Sequence, residues 1–161
     1  MKYIAFAFAL ILSLPAFANW KRETRQTLNE YAYACPSTEV VVDSIVKNET
    51  IKGHVKGLPA QAYKDFKVVF YVKTNVWYIH PYQYYPGQDE GYSYSNLNSN
   101  GEFQVKTVLR QVPSAAMAAV LVPKSFKIRN YRWWLRPLLG FVGGVLKFQC
   151  SHAIVKGNGD F

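Results

Sequence analysis

The sequence is short of acid, of thiol and of histidine. Its 161 residues hold 10 Asp+Glu against 19 Lys+Arg, with 2 Cys and 3 His, and charged residues make up 18% of the chain. Two cysteines exclude a disulfide-dense framework. His54, His80 and His152 lie on separate segments without HExxH spacing, which removes the usual zinc signatures. A glycosidase needs two carboxylates facing across a cleft, whereas the one adjacent acid pair, Asp89-Glu90, cannot supply opposed roles. Gly-x-Ser-x-Gly, phosphate-loop and dinucleotide signatures are all missing. The expectation is a non-catalytic protein that needs no cofactor and no metal. What is abundant is aromatic: 12 Tyr, 10 Phe and 4 Trp in a chain that is half hydrophobic, enough for one packed domain and incompatible with general disorder.

One long apolar run exists, at the N-terminus. Lys2 supplies a positive start, Ile4 to Leu14 an apolar stretch, and Ala16-Phe17-Ala18 the small residues accepted by signal peptidase. Tyr3 to Ala18 is shorter than the roughly 20 residues of a spanning helix, so a signal peptide cleaved after Ala18 is expected rather than an anchor. Removing 18 residues with one base and no acid leaves 143 residues and a net charge of +8. The product is periplasmic or extracellular. In an oxidising compartment an even pair of cysteines, Cys35 and Cys150, reads as one disulfide joining the start of the mature chain to its end. A metal site or catalytic thiol is the competing reading, without CxxC spacing to support it.

Asn19 to Ala34 is polar with interspersed aromatics and predicts a short helix that ends before Pro36. The period then changes from helical to alternating. Val40, Val42 and Ile45, then Ile51-Lys-Gly-His-Val-Lys-Gly57, set apolar against polar positions as half-buried strands do. Lys67 to Lys73 is the strongest strand, and Val76 to His80 follows it closely enough for a hairpin. Asn100-Gly101 marks a turn before the alternating Glu102 to Val108. Ala115 to Val122 has helical propensity, but its eight residues lie between Pro113 and Pro123 and read as a buried strand. Val145 to His152 completes the set.

The run Ile51-x-Gly53-x-Val55-x-Gly57-Leu58, Tyr63-Lys64 and Lys67-Val-Val-Phe-Tyr-Val-Lys-Thr-Asn-Val-Trp-Tyr-Ile-His-Pro81 resembles small β-sandwich modules of secreted bacterial proteins, often found beside polysaccharide-degrading domains. The resemblance spans about Thr50 to Ser125, half of the chain. It implies a fold and an extracytoplasmic setting, and supplies no active-site residues. With it, the expected fold class is all-β: an antiparallel immunoglobulin-like β-sandwich over 38–161, preceded by the signal peptide 1–18 and a helical or irregular segment 19–37, with one disulfide.

Two constellations carry candidate chemistry. Trp77, Tyr82, Tyr84, Tyr85, Tyr92 and Tyr94 crowd a segment punctuated by Pro and Gly; aromatic faces stack on the apolar faces of sugar rings, and proline reduces the cost of ordering the platform. The competing reading packs alternate rings under the sandwich, Trp77 first among them. Lys124, Lys127, Arg129, Arg132, Trp133, Trp134 and Arg136 combine cations with indoles, a composition suited to an anionic membrane surface, or to a solvated loop whose Trp rings plug the end of the sandwich. Export and the lack of a recognition motif argue against nucleic acid. The expected partners are a glycan or an envelope protein, with anionic lipid as a further possibility.

Overall fold

The computed structural model describes residues 14–47, 49–74, 77–79, 93–106, 114–128 and 148–156, with side chains of the first helix described from Asn19 onward. One helix, α1 (Leu14–Glu30), precedes eight strand segments: β1 (Glu39–Val46), β2 (Thr50–Lys56), β3 (Phe66–Lys73), β4 (Trp77–Ile79), β5 (Tyr94–Asn96), β6 (Glu102–Lys106), β7 (Ala116–Pro123) and β8 (Ser151–Lys156). All described pairings are antiparallel. One sheet has the order β1-β2-β6; in the other, β3 pairs with β7 on one side and with both β4 and β5 on the other, and β7 pairs with β8. The eight segments therefore occupy seven strand positions in two layers.

The alternation read from the sequence is the inward-outward alternation of the first sheet. Ile51, Gly53 and Val55 of β2 and Phe103 and Val105 of β6 are buried, while Lys52, Lys56, Glu102, Gln104 and Lys106 are exposed. In β1 the register slips between Val42 and Ser44, a bulge at Asp43 that restores Ile45 to the core side. Phe103 meets Phe70 of the opposite sheet edge-on at 5.7 Å. Gly53 leaves the space for that ring: a Cβ there would collide with Val41 O and with Phe103 Cζ.

β3 and β7 behave differently, because both of their faces are covered. Phe66, Val68, Phe70 and Val72, with Met117, Ala119 and Leu121, fill the core between the sheets. Val69 and Tyr71, with Ala118, Val120 and Val122, form a second core on the outer face, closed by Trp20, Phe126 and Phe148. The third layer is α1. Trp20 packs against Phe126 at 5.9 Å and Phe148 at 5.6 Å. Thr24, fully buried, donates to Trp20 O and shares a hydrogen bond with Ser125 Oγ at 2.9 Å. Leu28 and Tyr31 continue the same helical stripe and reach the inter-sheet core. A strand flanked by apolar layers on both sides needs no polar face, so the Ala-rich segment forms β7 despite its helical propensity.

The cysteines are bonded: Cys35–Cys150 closes a sequence separation of 115 with the Cα atoms 4.9 Å apart. The bond lies just before β1 and just before β8, where Ser151 Oγ–H donates to Thr38 O at 2.7 Å and Cys150 N–H to Leu121 O at 2.9 Å. One expectation needs correction. The last strand is Ser151–Lys156, not Val145 to His152, because Leu121↔Ser151 is its first pair and Phe148 ahead of it is spent on the outer core. β6 is described to Lys106, and residues 107 and 108 of the expected strand lie outside the described residues. The helix is described over Leu14–Glu30, so it includes Ala18, the last residue of the expected signal peptide, and ends before Ala34.

Candidate functional site: the interrupted edge of the five-stranded sheet

The edge beside β3 is one strand position occupied by two pieces of chain. Lys73 pairs with Trp77, Val72 with Tyr78 and Tyr71 with Ile79; Val69 then pairs with Tyr94, Val68 with Ser95 and Lys67 with Asn96. Phe70 N–H donates to Ser93 O at 3.0 Å, so position 93 follows position 79 at the next step of the register. Ile79 and Ser93 therefore occupy adjacent points of a single edge. Tyr82, Tyr84, Tyr85 and Tyr92, with His80, fall between them in sequence and lie outside the described residues. The hairpin expected from Lys67 to His80 is present as β3–β4.

Directly opposed residues share a face of a sheet, so Trp77, Ile79, Tyr94 and Asn96 project to the same side as Lys73, Tyr71, Val69 and Lys67. That is the outer, helix-covered side. Trp77 and Tyr94 are half-buried and pack against the rim of the outer core, one before and one after residues 80–92 in sequence. Four register steps separate them, about 13 Å at the usual rise per residue. The structure thus places the two described members of the aromatic set on one face of the sheet.

A basic component adjoins them that the sequence did not advertise. Lys67 is 8% exposed, and its Nζ lies 4.8 Å from the centre of the Tyr94 ring, a cation–π contact. Burial, and secondarily the charge of Lys124, push its amine down to about 8. At the start of a strand pattern a lysine reads as a solvated end; only the packing of β5 against β3 reveals otherwise.

Arg129, Arg132, Trp133, Trp134 and Arg136 lie outside the described residues. A different cationic surface is described, on α1: Lys21, Arg22, Arg25, Gln26 and Asn29 line an open depression of ≈ 480 Å³. Lys21 and Arg25 are held by ring faces, Lys21 Nζ 5.9 Å from Trp20 and Arg25 Cζ 5.8 Å from Phe148. On the outer face of the three-stranded sheet, His54 Nδ1 and Asp43 Oδ2 are hydrogen-bonded at 2.7 Å, the bulge turning Asp43 toward β2. Among the described residues no group of three His, Cys, Asp or Glu is placed to hold a metal ion. No described helix is long and apolar enough to cross a membrane. Comparison with family models, with curated proteins and with solved structures finds no match to the chain.

Proposed function

We propose that the chain is an exported, non-catalytic binding module of immunoglobulin-like type that recognises a glycan of the cell envelope through the interrupted sheet edge. The observation that carries this reading is the division of one edge position between Trp77–Ile79 and Tyr94–Asn96, which sets Trp77 and Tyr94 on one face with the Tyr-rich stretch between them in sequence. Rings anchored on a rigid sheet present a stacking surface at low ordering cost. The immunoglobulin-like assignment is supported by the strand order, a three-stranded sheet β1-β2-β6 facing a four-position sheet with chain crossings after β2, β5 and β6. Export is supported by the disulfide, a bond that persists in oxidising compartments.

The test is retention of the full chain on insoluble peptidoglycan, chitin and cellulose at low salt. Retention on one polymer that falls at least tenfold in Trp77→Ala and Tyr94→Ala is expected; release from all three overturns the reading. A second reading, peripheral attachment to anionic lipid, draws on the cation-lined depression of α1 as well as on the segment containing Arg129, Arg132, Trp133, Trp134 and Arg136. It predicts salt-sensitive binding to phosphatidylserine vesicles that is lost when Trp133→Ala and Trp134→Ala are combined. An envelope protein captured by cross-linking, with no glycan retained, would favour a protein-interaction module instead.

A further inference from the structure

We infer that Lys67, beside the Tyr94 ring, and Lys124, just past the end of β7, form an anion subsite next to the sheet edge, which takes the carboxylate of an acidic sugar while the ring takes its apolar face. The inference rests on the glycan reading and adds the chemical class of the glycan. Lysine is almost never buried without a partner, since an ammonium removed from water needs an opposite charge or a full set of acceptors. Lys67 is more than nine-tenths buried, and among the described residues no carboxylate reaches it; the electrostatic neighbour that acts on it is a second ammonium, Lys124. The acid nearest in sequence, Asp65, is occupied, its Oδ2 accepting the Tyr31 hydroxyl at 2.8 Å and its carbonyl the Lys124 N–H at 2.8 Å.

The site is also fixed in place. Lys67 stands on β3, hydrogen-bonded on both sides, opposite Asn96 on one and Val122 on the other. Lys124 follows β7 directly and is exposed, and Tyr94 is half-exposed. A ligand that reaches the ring therefore meets the Lys67 ammonium, with Lys124 acting on the same group, and no described negative charge. A sugar acid offers the Lys67 ammonium a charge-assisted hydrogen bond beside the ring, which a neutral sugar does not. Lys67 in its neutral form is also a potential nucleophile, but no described group is placed to activate a carbonyl beside it, so recognition is the simpler use.

The experiment follows the Lys67 amine by NMR in the full chain labelled with ε-¹³C-lysine, the resonance assigned with Lys67→Met. In the free protein the amine is expected to titrate near pH 8. A saturating galacturonate oligomer is expected to raise that midpoint by a unit or more, and a galactose oligomer of equal length to leave it in place. Lys67→Met and the exposed Lys124→Gln are each expected to weaken galacturonate binding at least tenfold; Lys124→Gln also raises the Lys67 midpoint in the free protein, which reports on the fold at the same time. Free Lys67 titrating in the ordinary lysine range, or acid and neutral oligomers acting alike, overturns the inference. Acetate and inorganic phosphate, titrated alone, separate the two levels. If they move Lys67 while no oligomer binds, the anion subsite stands and the glycan reading fails; if neither they nor the galacturonate oligomer move it although a polysaccharide retains the chain, the subsite fails and the glycan reading stands.

Discussion

Replacing both Cys35 and Cys150 by serine tests what holds the two sheets together at the end where the chain enters and leaves. The bond closes a sequence separation of 115, for which the chain-entropy relation gives roughly 5 kcal/mol at 25 °C. That is a large share of the 5 to 15 kcal/mol over which small domains are stable in total. The local geometry does not depend on the sulfurs alone: the Ser151 hydroxyl still donates to Thr38 O, and the amide at position 150 to Leu121 O. The native sheet is therefore expected to survive, and the effect to act on the unfolded chain. In urea unfolding followed by tryptophan fluorescence the midpoint should fall by about 2 to 3 M, with a steeper slope because the released chain exposes more surface. The far-UV spectrum of the folded state should be unchanged. A midpoint shift under about 0.5 M, or loss of the native spectrum in the absence of denaturant, would refute the reasoning, the first because the bond then constrains little and the second because it shapes the fold.

Gly53→Ala should cost about 2 to 4 kcal/mol in the same assay, since the new methyl collides with a backbone carbonyl and with the Phe103 ring, neither at a flexible end; a cost under about 0.5 kcal/mol would count against the described packing. Trp20→Ala should cost about 3 to 5 kcal/mol and raise hydrogen exchange along β7, whose outer face loses its cover. The Tyr31 phenol, which donates to Asp65, is pushed up to about 12 chiefly by that hydrogen bond. Its folded value lies above the unfolded one, so its contribution is fully present below about pH 10 and lost as pH rises toward 12; Tyr31→Phe should remove this dependence and cost about 1 kcal/mol at pH 7. Lys67 has the opposite sign: a lysine depressed to about 8 is buried at a cost while charged, so stability should rise as the pH is raised from about 8 toward the unfolded lysine value. Lys67→Met should accordingly be more stable than the parent at pH 7, by about 2 to 4 kcal/mol, with the gap closing by pH 10; a less stable variant would contradict the assignment.

The features legible from residue order alone are those whose pattern is local. Period-two alternation located β2 and β6, and two flanking prolines were enough to make a strand of the Ala-rich segment. Even the bulge in β1 is written in the spacing, since Val40 and Val42 keep the period that Ile45 breaks. The Cys35–Cys150 pairing followed from there being two thiols in a chain with an export signature. Features that depend on distant packing were hidden. The helix and the turn after it bury Trp20 and Thr24 at the outer face and pack Leu28 and Tyr31 against the inter-sheet core, a stripe of correct spacing disguised by its threonine and by the charged residues around it. Of the candidate aromatic set, Trp77 and Tyr94 could be named, but their common face could not, because Tyr94–Asn96 is three residues of little pattern whose strand partner lies more than twenty positions earlier. Lys67 was invisible as a site residue for the same reason.

The interruption of this edge also bears on why a binding segment would sit there. An edge strand displays unpaired backbone groups along its length and invites pairing with other chains, and proteins protect such edges by keeping them short, bulged or charged. Here the edge is divided into two three-residue pieces, Trp77–Ile79 and Tyr94–Asn96, with Ile79 and Ser93 at consecutive register positions although thirteen residues of sequence separate them. The division removes a continuous template for strand addition. It also sets Ile79 and Ser93 about one residue step apart along β3, a strand buried over seven of its eight positions. The anchoring side chains, Trp77, Tyr94 and the buried Lys67, stay where β3 puts them, which makes them the part of the edge most suited to a fixed chemical role.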